Sequence, residues 1–294
     1  MKIAALTLRA APLALILAAG AAVASPAAAE DVQIRNAVAR VAVVVEDRTD
    51  VAVEVEQGGS GLPNVRVSRR DGKVIIDGGL GRNMIRGCQS GAASPRQPGE
   101  GASVEVRNHG RVQLSNAPLI LIRSPRQVDV GGQGAVFGSI GRGATSVDVG
   151  TAGCGGWTVA NVDGPLSISV AGSGDINAGT SRSLEVSVAG SGDVSAGATG
   201  AAEVSIAGSG DVNIAAVNGN FEVSIAGSGD VLVRSGRADR FEASVMGGGD
   251  VDFRGSANSA EVNLMGGGDV RIGSVSGSVE RNVMGGGRLT IGDR

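Results

Sequence analysis

The sequence predicts an all-β chain wound as a right-handed parallel β-helix, a β-solenoid with coils of about 19 residues. Three observations predict it. A Gly-x-Gly element returns nine times between residues 132 and 287, at spacings of 21, 19, 18, 18, 19, 20, 19 and 19. Apolar and polar residues alternate with period two on both sides of it, which is the strand signal. The 294 residues include 50 Gly but only four Phe, one Trp and no Tyr, against roughly 7% Gly in an average chain. There is no strict Gly-X-Y period and Pro numbers only eight, so collagen is excluded. Abundant small aliphatics and a net charge of −3 argue against disorder.

The elements follow in chain order. Residues 1–29 read as an export signal. Lys2 and Arg9 supply the positive start, Ala10 to Val23 the apolar run, and Ala27-Ala28-Ala29 the small-residue cleavage site. That run is too short for a convincing membrane span. Without it, 24 basic residues face 29 acidic ones, a net of −5, which offers no basic footprint for nucleic acid.

Residues 30–127 read as a less regular β region. Strands are expected at 41–45, 50–56, 64–68, 73–76, 103–106, 112–114 and 119–122, and an exposed loop at 89–101. Whether these strands form early coils or a separate cap is left open by the sequence. In an exported protein the two cysteines, Cys88 and Cys154, are expected to form one disulfide. A reactive thiol would need a basic partner, and beyond residue 29 the chain holds only His109 and Lys73 besides arginines.

From residue 128 the repeats dominate. Four units read Ala-Gly-Ser-Gly-Asp, two read Met-Gly-Gly-Gly-Asp, and the last ends in Arg288. Each unit carries two clear strands, too few to bury its own apolar face, so stacking in parallel is required. Two inward columns result: Trp157, Ile176, Val194, Val212, Val231, Val251, Val270, Leu289, and Val159, Ala178, Ala196, Ile214, Val233, Phe253, Ile272, Ile291. Variable coil length favours a right-handed solenoid over the left-handed hexapeptide type. Nine coils spaced like adjacent strands give a rod of roughly 43 Å.

The Ala-Gly-Ser-Gly-Asp-Val repeats, the Gly-Cys-Gly-Gly-Trp segment at 153–157 and the Ala-rich start together resemble the auto-transporter adhesin, head GIN domain family. The resemblance covers roughly residues 100–294. It implies a secreted or periplasmic β-helical protein of a Gram-negative bacterium and brings no catalytic residues.

Stacking turns single positions into outward ladders, and these are the candidate sites. Asp175, Asp193, Asp211, Asp230, Asp250 and Asp269 follow the glycine turn. Their expected role is to accept hydrogen bonds from turn N–H groups. A calcium role is the alternative, because hard cations favour oxygen, although the calcium-binding nonapeptide needs a nine-residue period. Glu185, Glu203, Glu222, Glu242, Glu261 and Glu280 form a second ladder, beside Ser187, Ser205, Ser224, Ser244, Asn263 and Asn282. That pair reads as a solvated face with Arg182, Arg234, Arg240, Arg254 and Arg271 as neighbours, or as a surface for a partner. The column Ala171, Ala189, Ala207, Ala226 changes to Met246, Met265, Met284; methionine's use as filler predicts that it packs into the corner.

A single histidine excludes multi-His zinc sites and leaves any Ser-His-Asp arrangement dependent on His109, in an expected turn. No catalytic residues and no cofactor are assigned. The leading expectation is a non-enzymatic exported protein that acts in envelope structure or adhesion, with an envelope protein or glycan as partner. A glycan-binding or carbohydrate-active β-helix is the alternative, and a calcium-stabilised solenoid the third.

Overall fold

The computed structural model describes residues 30–91 and 97–292. The expected export segment lies outside the described residues, as do 92–96 within the expected loop. The chain forms a parallel β-solenoid of about nine turns with coils near 19 residues. From residue 127 onward each strand pairs in parallel with the strand one coil later: Leu166 with Leu184, Leu184 with Ala202, Ala202 with Phe221, Phe221 with Phe241. Both inward columns stand as the alternation predicts except at the last coil, where Ile291 is exposed because no further coil covers it among the described residues. Trp157 pairs with Ile176, and the line continues through Val194, Val212, Val231, Val251 and Val270 to Leu289.

The glycine turn propagates itself. From Gly153 onward the first glycine of each turn adopts positive φ, from 125° at Gly285 to 146° at Gly227, and in the coil before it Gly134, the register partner of Gly153, does so at 114°, a region that glycine enters without penalty. Its missing side chain also lets the coils touch. A Cβ on Gly190 would collide with the carbonyl of Gly172, and one on Gly208 with that of Gly190. Each coil therefore requires glycine here because the main chain of the coil below passes too close to admit a side chain.

The interior is a narrow slot lined by Val, Ile and Leu. It widens for aromatics in one place, where Phe221, Phe241 and Phe253 meet with ring centroids 5.4–5.7 Å apart. Trp157 is also buried, with its indole N–H unpartnered.

The strands before residue 127 are β1 (Asp31–Val45), β2 (Ala52–Glu56), β3 (Arg66–Arg70), β4 (Lys73–Asp77), β5 (Ile85–Gln89), β6 (Ser103–Val106), β7 (Gly110–Gln113) and β8 (Leu119–Ser124). They do three different things. On one side β1 pairs in parallel with β9 (Gln127–Ile140), and on the other with β4 and β8. The first described strand thus lies inside the rod, and the chain then leaves to build the coil beyond it and returns. Strands β2 and β3 run antiparallel to β8 and β4 and cover that end of the stack with short strands rich in charge, which protects an edge from further pairing.

Strands β5, β6 and β7 form a separate antiparallel sheet. It packs against one flank of the rod through Val104, Val106, Val112, Leu114, Ala135 and Phe137. The Cys88–Cys154 disulfide, with Cα atoms 6.0 Å apart, ties this sheet to the glycine corner. At the other end the last coil, residues 279–291, is largely exposed. There Arg281 stands in the column that Val223, Ala243 and Val262 occupy in preceding coils, an inward-column charge that hinders stacking on that end.

Candidate functional site

The Asp ladder is a chain of inter-coil clamps. The backbone N–H of Asp193 donates to Oδ1 of Asp175 at 3.1 Å, and that of Asp211 to Asp193 at 2.9 Å. Asp230, Asp250 and Asp269 continue the pattern at 2.9, 2.8 and 2.7 Å, and Arg288 closes it on Asp269 at 3.0 Å. Each carboxylate satisfies an N–H at a corner where the chain has left the sheet. Among the described residues no group of three or more His, Cys, Asp or Glu is arranged to hold a metal ion.

The Glu ladder occupies an outer sheet face. Glu185, Glu203, Glu222, Glu242, Glu261 and Glu280 are register neighbours in successive coils, and Ser187, Ser205, Ser224, Ser244, Asn263 and Asn282 run beside them. The acidic line extends further than the glycine repeat suggested. Ser167 pairs with Glu185, Asp148 with Ser167, and Asp129 with Asp148. Asp31 follows in the next coil, where the Lys73 ammonium binds it at 2.7 Å. The first coils have degenerate glycine turns, so alignment on glycine hid Asp129 and Asp148. Their Val-Asp-Val strands carried the signal.

Charge along this line is only partly compensated. Arg240 pairs with Glu242, and with Glu261 at 2.8 Å. Arg254 and Arg271 instead meet Asp252 and Asp269, and no ion pair joins Arg182 or Arg234 to the ladder among the described residues. Glu185, Glu203 and Glu222 have no cation partner there. Partial burial, with Asp31 and Asp148 beside it, pushes the Asp129 carboxyl up to about 6 against the pull of Lys73. Asp148 is raised by desolvation first, then by Glu185 and Asp31. A groove of about 690 Å³ follows this face past Asp129, Asp148, Ser167, Glu185, Glu203 and Glu222.

The methionine column departs from expectation. Met246, Met265 and Met284 do not pack into the corner; they are 47%, 43% and 56% exposed. Backbone direction decides this, because the position lies on the same outward face as the Glu and Ser ladders, and Ala171 to Ala226 concealed the fact by being small. His109 lies exposed in the β6–β7 hairpin turn after Asn108, whose φ is 66°. A second cleft, of about 1130 Å³, opens between the β5 sheet and the rod, with Leu80, Met84, Ile85 and Phe137 on its apolar side and Arg82, Arg86 and Asp175 on its polar side.

Fold and face together define an elongated β-solenoid with a continuous polar ladder surface. The sequence model of the family described as "Putative auto-transporter adhesin, head GIN domain" matches residues 195–293, the regular C-terminal coils. The match is shorter than the span over which the resemblance was read. No curated protein matches the chain. Among the described residues no helix is long and apolar enough to cross a membrane.

Proposed function

We propose that the protein is a surface-associated, non-enzymatic contact protein of the bacterial envelope, and that the outer Glu/Ser face is its contact surface. The observation that carries this is the uninterrupted register of the face, from Asp129 through Glu185 to Glu280. The solenoid and the adhesin-head family match support it. Carboxylates about 5 Å apart repel by roughly 0.8 kcal/mol per pair in water. A row of them held in place by the coil register is relieved by a partner that brings compensating charge or hydrogen-bond donors. The export signal at 1–29 and a periplasmic or cell-surface location belong to the same proposal.

Glycan binding is the second reading, and the long polar groove favours it. Against it stands the burial of Trp157, Phe221, Phe241 and Phe253, which leaves those rings unable to stack on sugar faces. The test is saturable binding of the purified protein to envelope fragments of the producing cell, measured at low and high salt. Binding weakened by salt supports the electrostatic face. Absence of binding to envelope, together with binding on a neutral-glycan array, would transfer the role to the second reading.

A further inference from the structure

The exposed methionines pose a separate question. Filler methionine occupies irregular gaps in a core, and these three fill none. The fold does not need them either, because the same column is alanine in the four preceding coils and Ala226 pairs directly with Met246. Met246 is in register with Met265, and Met265 with Met284. Three thioethers therefore stand in one line at the strand spacing of about 4.8 Å, each on a side chain with three rotatable bonds.

A second change accompanies the first. In the alanine coils the residue between the turn glycines is Ser173, Ser191, Ser209 or Ser228, and in the methionine coils it is Gly248, Gly267 or Gly286. These three glycines are not forced by the backbone. None has positive φ, and a Cβ on any of them would meet nothing within 4 Å. Replacing serine by glycine there removes a side chain two residues along the chain from each methionine.

We propose that Met246, Met265 and Met284 form a thioether site for a soft monovalent cation, copper(I). Soft sulfur ligands select this ion over the hard cations that carboxylates bind. The thioether is also the sulfur still available in this chain, because Cys88 and Cys154 are joined as a disulfide. Rotation of Met246 and Met284 toward Met265 brings the outer sulfurs onto an ion held at the middle coil. The site lies on the outward face near the end of the rod, open to exchange with solvent-borne carriers.

Silver(I), which needs no reductant, is the first probe, followed by copper(I) supplied from a chromophoric chelator. Titration of the full chain should give one ion per chain, and the methyl resonances of Met246, Met265 and Met284 should shift while that of Met84 stays put. The triple variant Met246→Ala, Met265→Ala, Met284→Ala restores the column of the preceding coils; it should keep its circular dichroism and melting point and lose the ion. The triple Leu variant keeps the apolar surface without sulfur and should lose it as well. Silver uptake undiminished in the Leu variant, or a shift confined to Met84, would overturn the assignment. So would a wild-type chain that takes up no ion, which would leave the column as an apolar contact surface.

Discussion

Trp157 occupies the space above Gly138: the two are register neighbours in adjacent coils, and a Cβ at 138 would run into the indole ring. The largest side chain in the slot is thus accommodated by the smallest residue beneath it. Gly138→Ala should destabilise the protein by about 1–3 kcal/mol, as overpacking does, and lower the melting temperature. Gly248→Ala, where a Cβ meets open space, should leave melting unchanged or raise it slightly. Equal melting of the two variants would show that the ring adjusts freely.

The Asp clamps lead to a prediction that separates hydrogen bonding from metal binding. Asp211→Ala removes the acceptor for the Asp230 N–H and should cost about 0.5–1.5 kcal/mol, whereas Asp211→Asn, which keeps a carbonyl oxygen, should cost less. Melting in calcium and in chelator should give the same midpoint. A midpoint raised by calcium and lost in Asp211→Asn would return the ladder to a cation role.

Asp129 makes stability depend on pH in a defined direction. Its folded pKa, about 6, lies above the ordinary value of 3.8, so the folded chain holds its proton more tightly than the unfolded one. Stability should therefore fall as pH rises from about 4 through 6. The shift is worth roughly 3 kcal/mol at face value, reduced to about 1 kcal/mol because the side chain is only partly buried. Asp129→Asn should melt higher than wild type at pH 7, and the two should converge near pH 4. A wild-type midpoint that rises across this window would contradict the assignment.

Much of this was legible before the structure, and the reasons are local. Where the glycine turn repeats, period-two alternation fixes which side chain faces inward, so both core columns from Trp157 and Val159 onward could be written down from spacing alone. The placement of β1 could not. Its pairing of Val32 with Val130 and with Val74 spans separations that follow no period, and only the folded topology puts β1 between β4 and β9. The ladder's extension to Asp129 and Asp148 was present in the strands but masked by anchoring on glycine. The outward direction of Met246 was fixed by parity with Glu242 and Ser244; residue type pointed the other way.

The disulfide bears on the side sheet more than on the rod. Cys88 sits on β5 and Cys154 at a glycine corner, 66 residues apart. Closing that loop is worth about 4 kcal/mol in the chain-entropy model. Reduction should release β5–β7 first, seen as early protease cleavage between residues 85 and 113, while amide protons of the later coils stay protected. Simultaneous loss of protection throughout the rod would show that the sheet is integral to it.

One measurement tests directly whether the outer Glu face is the contact surface. Binding of the triple variant Glu185→Ala, Glu203→Ala, Glu222→Ala to envelope fragments is compared with that of a control, Asn177→Ala, Ser195→Ala, Asn213→Ala, altered on the other outward strand. If the Glu face is the contact surface, the ladder variant loses at least about tenfold in affinity, the scale of one 1.4 kcal/mol step, while the control binds like wild type. Wild-type affinity in the ladder variant would contradict it.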